Sequence, residues 1–161
     1  QFFLRSIIPN NIWMEFTDFQ ISRLDIWNTA FKSIINFPIF GTGGGSFPDV
    51  YIYETGLWKG HAHNLALELF VSYGIPAGIL ILLPITYLFI CSSKTIFFNK
   101  LIKTSIFDKA WVISIILFLL SQLVDVQYFD GRISITFWIL LAGAKKIIDE
   151  DKLSRNFIKR K

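Results

Sequence analysis

The run from Leu69 to Cys91 holds 23 residues without a charged side chain. As a helix rising 1.5 Å per residue it would be about 34 Å long, enough to cross the hydrocarbon core of a bilayer. Pro76 and Pro84 lie inside it. A membrane helix accommodates such prolines, because neighbouring groups re-satisfy the freed carbonyls. Two further apolar blocks follow. Ala110–Phe129 has 20 residues and one charge, Asp125. Ile133–Ala144 has only 12; it reaches spanning length if Arg132 and the Lys145–Lys146 pair snorkel at its ends. Of the 161 residues, 53% are hydrophobic and 17% charged. That is too apolar for a disordered chain, and the blocks argue against a simple soluble globule. The expected fold is an all-α integral membrane protein. Residues 1–64 form an extracytoplasmic loop, transmembrane helices lie near 65–91, 110–129 and 132–148, and 149–161 is a basic tail. The first residue is Gln1, with no basic-apolar-small leader behind it. The sequence therefore reads as the C-terminal part of a longer membrane protein.

Charge sets the orientation. The net charge is +4, yet seven of the 16 basic residues lie within 145–161. Four more lysines lie between the first two apolar blocks, at Lys94, Lys100, Lys103 and Lys109. Basic residues that flank apolar spans mark cytoplasmic loops rather than a nucleic-acid surface. Residues 1–64 and the short turn 126–132 then face away from the cytoplasm. Cys91 is the one cysteine, so neither an internal disulfide nor a cysteine-based metal centre is available.

The outer segment has local structure of its own. Ser22-Arg23-Leu24-Asp25 fits a capping box, with Ser22 as N-cap. Leu24, Trp27, Phe31 and Ile34 recur at helical spacing. These features predict an amphipathic helix over 22–36, stopping ahead of Phe37-Pro38. A glycine-rich loop follows, Gly41-Thr42-Gly43-Gly44-Gly45-Ser46-Phe47. It has no lysine of a Walker loop and no preceding strand of a dinucleotide fingerprint. Two readings remain for it, a tight turn or a nest of N–H groups for an oxyanion.

Arg23, His63, Asp125, Asp130 and Arg132 all map to one side of the membrane. His61 and His63, the only histidines, precede the first span. An imidazole there can exchange a proton near neutral pH, or simply sit at the interface. A metal site is not expected. On a helix, His-x-His would point its rings to different faces, with only Asp49, Glu54 or Glu68 to complete the ligand set. Arg23, in the first turn of the predicted helix, opposes the helix dipole, a cost of about 0.3–1 kcal/mol that fits either an anion-binding role or a solvated charge. Asp125, inside an apolar block, is either a functional group or the partner of Arg132.

Two segments resemble the C-terminal domain shared by bacterial O-antigen ligases and Wzy-type polymerases. One is Ser22-Arg23-Leu24-Asp25-Ile26-Trp27, continuing to Pro38-Ile39-Phe40-Gly41-Thr42-Gly43 and Ser46-Phe47. It is similar to the family's Arg-Leu-x-x-Trp helix followed by Pro-x-x-Gly-x-Gly and an aromatic residue. The other is His63-Asn64, nine residues and Gly74, with Pro76 beyond, which is similar to the family's His-Asn-x9-Gly signature. Where the family often has a further glycine, this chain has Ala77 followed by Gly78. Arg5 lies in no matching motif.

The resemblance implies a bacterial inner-membrane, multi-pass enzyme with its site facing the periplasm. It implies glycan transfer from an undecaprenyl-diphosphate carrier to a hydroxyl of lipid A-core or another glycan, with no cofactor and no metal. It implies His63 as the base and Arg23 on the diphosphate. Asn64, His61, Asp125 and Arg132 are the further candidates for substrate contact. Wzy-type polymerisation is the alternative within the same chemistry. A transporter or non-catalytic membrane subunit is the alternative of another class.

Overall fold

The computed structural model describes residues 10–98 and 105–159, with side chains described over 23–98 and 105–156. Every regular element among them is helical. Helix α1 spans Asn10–Asn36. Helix α2 spans Phe47–Thr55, α3 spans Leu65–Ser93, and a π-helical turn, Lys94–Phe98, extends α3. Helix α4 spans Ile106–Ser121 and α5 spans Gly131–Lys159.

Helix α1 stops at Asn36, as the Phe37-Pro38 pair predicts, but it does not begin at Ser22. It runs unbroken from Asn10, so the Ser22–Asp25 pattern lies mid-helix and does not mark a helix start. The expected apolar stripe is met in part: Ile34 is buried and Trp27 packs against the core, but the other two residues are not covered. Leu24 and Phe31 are 60% and 52% exposed, while Ile26, Thr29, Ala30, Ser33 and Ile34 are buried. Small side chains at Thr29, Ala30 and Ser33 let α1 approach its neighbours closely. Larger residues fill in from them: Phe47 and Tyr51 of α2, and Leu67 and Val71 of α3. Helix α2 starts on Pro48 and Asp49, which suit a first turn, and ends at Gly56 in the left-handed region (φ 72°).

The decisive feature of α3 is a break at Gly74, where φ is 80° and ψ 168°. The segment after α1 crosses α3 at this break. Thr42 N–H donates to Val71 O (2.8 Å), Gly43 N–H to Ser72 O (2.9 Å), and Ile75 N–H to Pro38 O (2.8 Å). The crossing chain thus supplies the bonds that the interrupted helix lacks. Two glycines make the approach possible. A Cβ on Gly41 would lie 2.5 Å from Val71 O, and one on Gly74 would overlap the Ile39 carbonyl. Of the two readings of the glycine-rich loop, the tight turn describes Thr42 and Gly43, whose N–H groups are already engaged. Gly78 has a separate reason to be small: the Phe70 ring packs where its Cβ would be.

Leu65–Phe98 is long and apolar enough to cross a membrane, and only 17% of its most apolar window is buried. A core helix of a soluble protein would be mostly covered; here Leu80 and Leu83 are 74% and 59% exposed. Among the described residues it is the one helix that satisfies both length and composition. The second expected span is shorter than its apolar block. Its capping box at Ser105 and Asp108 starts α4 at Ile106, and α4 ends at Ser121, leaving residues 122–130 as turns and irregular chain. At 1.5 Å per residue, α4 is about 24 Å long. Helix α5 runs past residue 148, so most of the basic tail is helical. Helices α4 and α5 pack through stacked Phe118 and Phe137 rings, 4.4 Å apart.

The break gives a direct test. Gly74→Ala places a Cβ against the Ile39 carbonyl and a side chain at positive φ, and should cost at least about 1–3 kcal/mol. Thermal unfolding of the detergent-solubilised chain should show a lowered midpoint. Gly131→Ala, where an added Cβ meets nothing within 4 Å, should leave it unchanged. Equal midpoints for both variants would refute the crossing as a structural keystone.

Candidate functional site

The site forms where the N-terminal end of α3 meets the irregular segment after α4. His61 and His63 lie in the loop ahead of α3, not on a helix, so the expected divergence of their rings does not arise. His63 has φ 51°, the one non-glycine residue at positive φ among those described. That conformation costs about 1–3 kcal/mol and turns the two rings together. Their centroids are 4.3 Å apart in an edge-on arrangement.

Both rings meet Asp125. His63 Nδ1 lies 3.2 Å from Asp125 Oδ1, and His61 Nε2 lies 3.8 Å from the same oxygen. Asp125 was expected within a helical span. It lies instead in the irregular segment, where its Oδ1 also accepts the Val126 N–H at 2.9 Å. An aspartate readily takes such local backbone bonds in place of helix. His61 Nδ1 accepts the His63 N–H at 3.3 Å.

Asn64 holds this junction together. Its Oδ1 accepts the Leu67 N–H (3.1 Å) as the N-cap of α3. Its Nδ2 donates to Leu123 O at 3.1 Å. Beside it, Leu65 N–H donates to Gln122 O at 3.0 Å. These bonds fix the segment that carries Asp125 against the histidine loop. Asn64 therefore acts in the structure as cap and clamp.

Sequence reasoning weighed Glu68 only as a metal ligand and missed its role as an anchor. It is 1% exposed and accepts the Ala62 N–H at 2.8 Å and the Ser72 hydroxyl at 3.4 Å. The available signal was a carboxylate one turn into an apolar helix, next to a loop whose N–H groups need acceptors.

Burial and neighbouring charge favour the neutral form of His63. Burial lowers its pKa below the usual imidazole value, and the neighbouring His61 and the Arg23 guanidinium act in the same direction, against the Asp125 hydrogen bond. Arg23, half-buried on α1, is thus within electrostatic reach of His63. Arg132 is not drawn in. It forms an exposed pair with Asp130, with Nη2–Oδ2 at 3.0 Å, and that pair holds the Asp130 carboxyl below its ordinary range. The ligand-type atoms of His61, His63 and Asp125 lie within 4.8 Å of one another, close enough to hold a metal ion. None of Asp49, Glu54 or Glu68 belongs to that group.

The fold and site define an all-helical architecture over the described residues, with a bilayer-length apolar helix whose N-terminal end carries a cluster of two histidines and an aspartate. Residues 3–82 match the family model described as O-antigen ligase, and through that segment the chain belongs to the O-antigen ligase family. The match takes in Arg23, Gly41, His61, His63, Asn64 and Gly74, and ends well before Asp125. The family is membrane-associated and works in polysaccharide biosynthesis. No curated protein and no solved structure matches the chain.

The clamp can be tested by separating its two bonds. Asn64→Ala should cost about 1 kcal/mol through loss of the cap and should raise hydrogen exchange both at Leu67 and across residues 122–126. Asn64→Asp keeps an acceptor for Leu67 but loses the donor to Leu123, so only the 122–126 segment should exchange faster. Unaltered exchange there in both variants would remove Asn64 from the clamp.

Proposed function

We propose that the chain is the site-bearing part of a metal-independent membrane glycosyltransferase. In this reading it transfers a glycan from an undecaprenyl-diphosphate carrier to an acceptor hydroxyl at the periplasmic face of the inner membrane. The observation that carries the reading is the His63–Asp125 pair at the head of the apolar helix. Asp125 accepts a hydrogen bond from Nδ1–H, which fixes the tautomer and leaves the Nε2 lone pair free. His63 Nε2 takes the proton of the acceptor hydroxyl. The hydroxyl oxygen forms its bond to the anomeric carbon as the bond from that carbon to the diphosphate oxygen breaks, and the electron pair leaves with the lipid diphosphate. Asp125 stabilises the imidazolium that forms, as the carboxylate of a catalytic triad does. Arg23 faces the departing diphosphate, whose oxygens a planar guanidinium grips in a fork. The exposed aromatic side chains Phe40, Tyr53 and Trp58 suit a site at the membrane interface.

The test is complementation with the full-length protein. His63→Ala should lower transfer by about 10²–10⁴-fold while membrane insertion persists, and Asp125→Asn should also impair it, by a smaller factor. Normal surface glycan from His63→Ala would sink the base assignment. The same strains separate the acceptors. Ligase loss leaves lipid-linked chains accumulating with no attached polymer. Polymerase loss leaves single repeat units attached to the lipid core.

Arg23→Lys keeps the charge but loses the fork, so transfer should fall despite the conserved +1. Wild-type transfer by that variant would argue against a bidentate diphosphate contact.

A further inference from the structure

The geometry points to a second, competing occupant of this site: a late divalent transition-metal ion such as Zn²⁺, held by His61 Nε2, His63 Nδ1 and an Asp125 carboxylate oxygen. Two imidazoles and one carboxylate, with an open fourth position, is a donor set that zinc accepts. A tetrahedral zinc with bonds of about 2.0–2.1 Å holds its ligands roughly 3.3 Å apart. The observed separations from Asp125 Oδ1 are 3.2 Å to His63 and 3.8 Å to His61, and one ligand-type atom from each of the three residues falls within 4.8 Å of the others. A movement of the His61 side chain toward Asp125 Oδ1, from 3.8 Å, brings its nitrogen to a ligand's distance from that oxygen. The side chains are 29–42% exposed, so an ion can enter and water can fill the fourth position.

Binding has a defined proton consequence. In the metal-free site His63 carries its proton on Nδ1, shared with Asp125, and presents the Nε2 lone pair. A metal on Nδ1 displaces that proton, and the neutral imidazole then carries it on Nε2. His63 keeps one proton and loses its outward lone pair. Ligation by His61 Nε2 likewise moves that ring's proton to Nδ1 and gives up the 3.3 Å contact from the His63 N–H, a long bond and a weak one. Metal binding and proton acceptance are therefore mutually exclusive. The ion acts as a reversible inhibitor, not as a cofactor. The inhibition rests on the transfer reading above; the metal site itself does not.

The experiment uses the full-length protein in nanodiscs with Co²⁺ and Zn²⁺ as probes. Wild type should bind one Co²⁺ per chain, with the visible absorption of a low-coordinate site. His61→Ala and Asp125→Asn should each lose it, while their far-ultraviolet circular dichroism stays that of wild type. Zn²⁺ should inhibit wild-type transfer, with recovery on adding EDTA. Normalised to its own metal-free rate, His61→Ala should need at least about tenfold more Zn²⁺ for half-inhibition, in line with the 10–100-fold affinity losses seen even for outer-shell changes. No Co²⁺ absorption in wild type, or absorption unchanged in both variants, overturns the metal site. Intact Co²⁺ binding in a protein whose His63→Ala variant still transfers glycan keeps the site and overturns the transfer reading instead.

Discussion

The structure depends on one backbone crossing. A helix broken in apolar surroundings leaves N–H and C=O groups that water cannot reach, and each costs several kcal/mol if unmet. At Gly74 those groups are met by another stretch of main chain. Three backbone bonds join residues 38–43 to 71–75, and two glycines remove the side chains that would hold the strands apart. The crossing also fixes where the segment before α3 sits. Helices α1 and α2 are tied to the top of α3 through it, and the Ile26, Phe47 and Val71 cluster closes over the joint. Break and crossing are one device, because neither is stable without the other.

That device gives the site its rigidity. The short N-terminal part of α3, Leu65 to Tyr73, is held from both ends. At its base the crossing chain binds Val71 and Ser72. At its head Asn64 caps it and Glu68 grips the histidine loop. Ser72 belongs to both ends, since its carbonyl takes the Gly43 N–H and its hydroxyl donates to Glu68. A His63 ring held by such a frame can maintain a strained backbone conformation that an isolated loop would relax. The strain is what brings two rings, only two residues apart in sequence, onto one carboxylate.

What could be read from the sequence follows the range of the forces involved. The apolar run of α3 and the end of α1 before Phe37-Pro38 are local properties, and both appear as expected. The start of α1 was misjudged because Ser22 and Asp25 satisfy a capping pattern that is indifferent to what precedes it. Its buried face was legible at Trp27 and Ile34, but close packing favoured small side chains at Thr29, Ala30 and Ser33 over the large ones at Leu24 and Phe31. Asp125 was seen as chemically notable but assigned to a helix. Hydropathy averages over the residues around it and does not register that its carboxylate would take the Val126 N–H and end the regular structure. The candidate residues themselves were visible as types, and His61, His63, Asn64 and Asp125 are brought together. Arg132 is not, because Asp130, two residues away, offers it a partner at far lower entropic cost.

Gly41 and Gly74 lie 33 residues apart in sequence, in motifs that look like independent signatures. In space they are the two sides of one joint, Gly41 against Val71 and Gly74 against Ile39. The same logic extends beyond the family-matched segment. Asp125 lies outside residues 3–82, so nothing in that match requires a carboxylate there. What delivers it is Asn64, inside the match, which reaches Leu123 O, while the adjacent Leu65 N–H reaches Gln122 O. Both contacts are to backbone carbonyls, which any residue supplies. The His-Asn pair can therefore recruit the chain after α4 whatever its side chains are, and the residue that this chain places at position 125 decides what the imidazole meets. Here it is a carboxylate, and a carboxylate is the group that orients an imidazole as a base and, with a second imidazole beside it, offers a place to a metal.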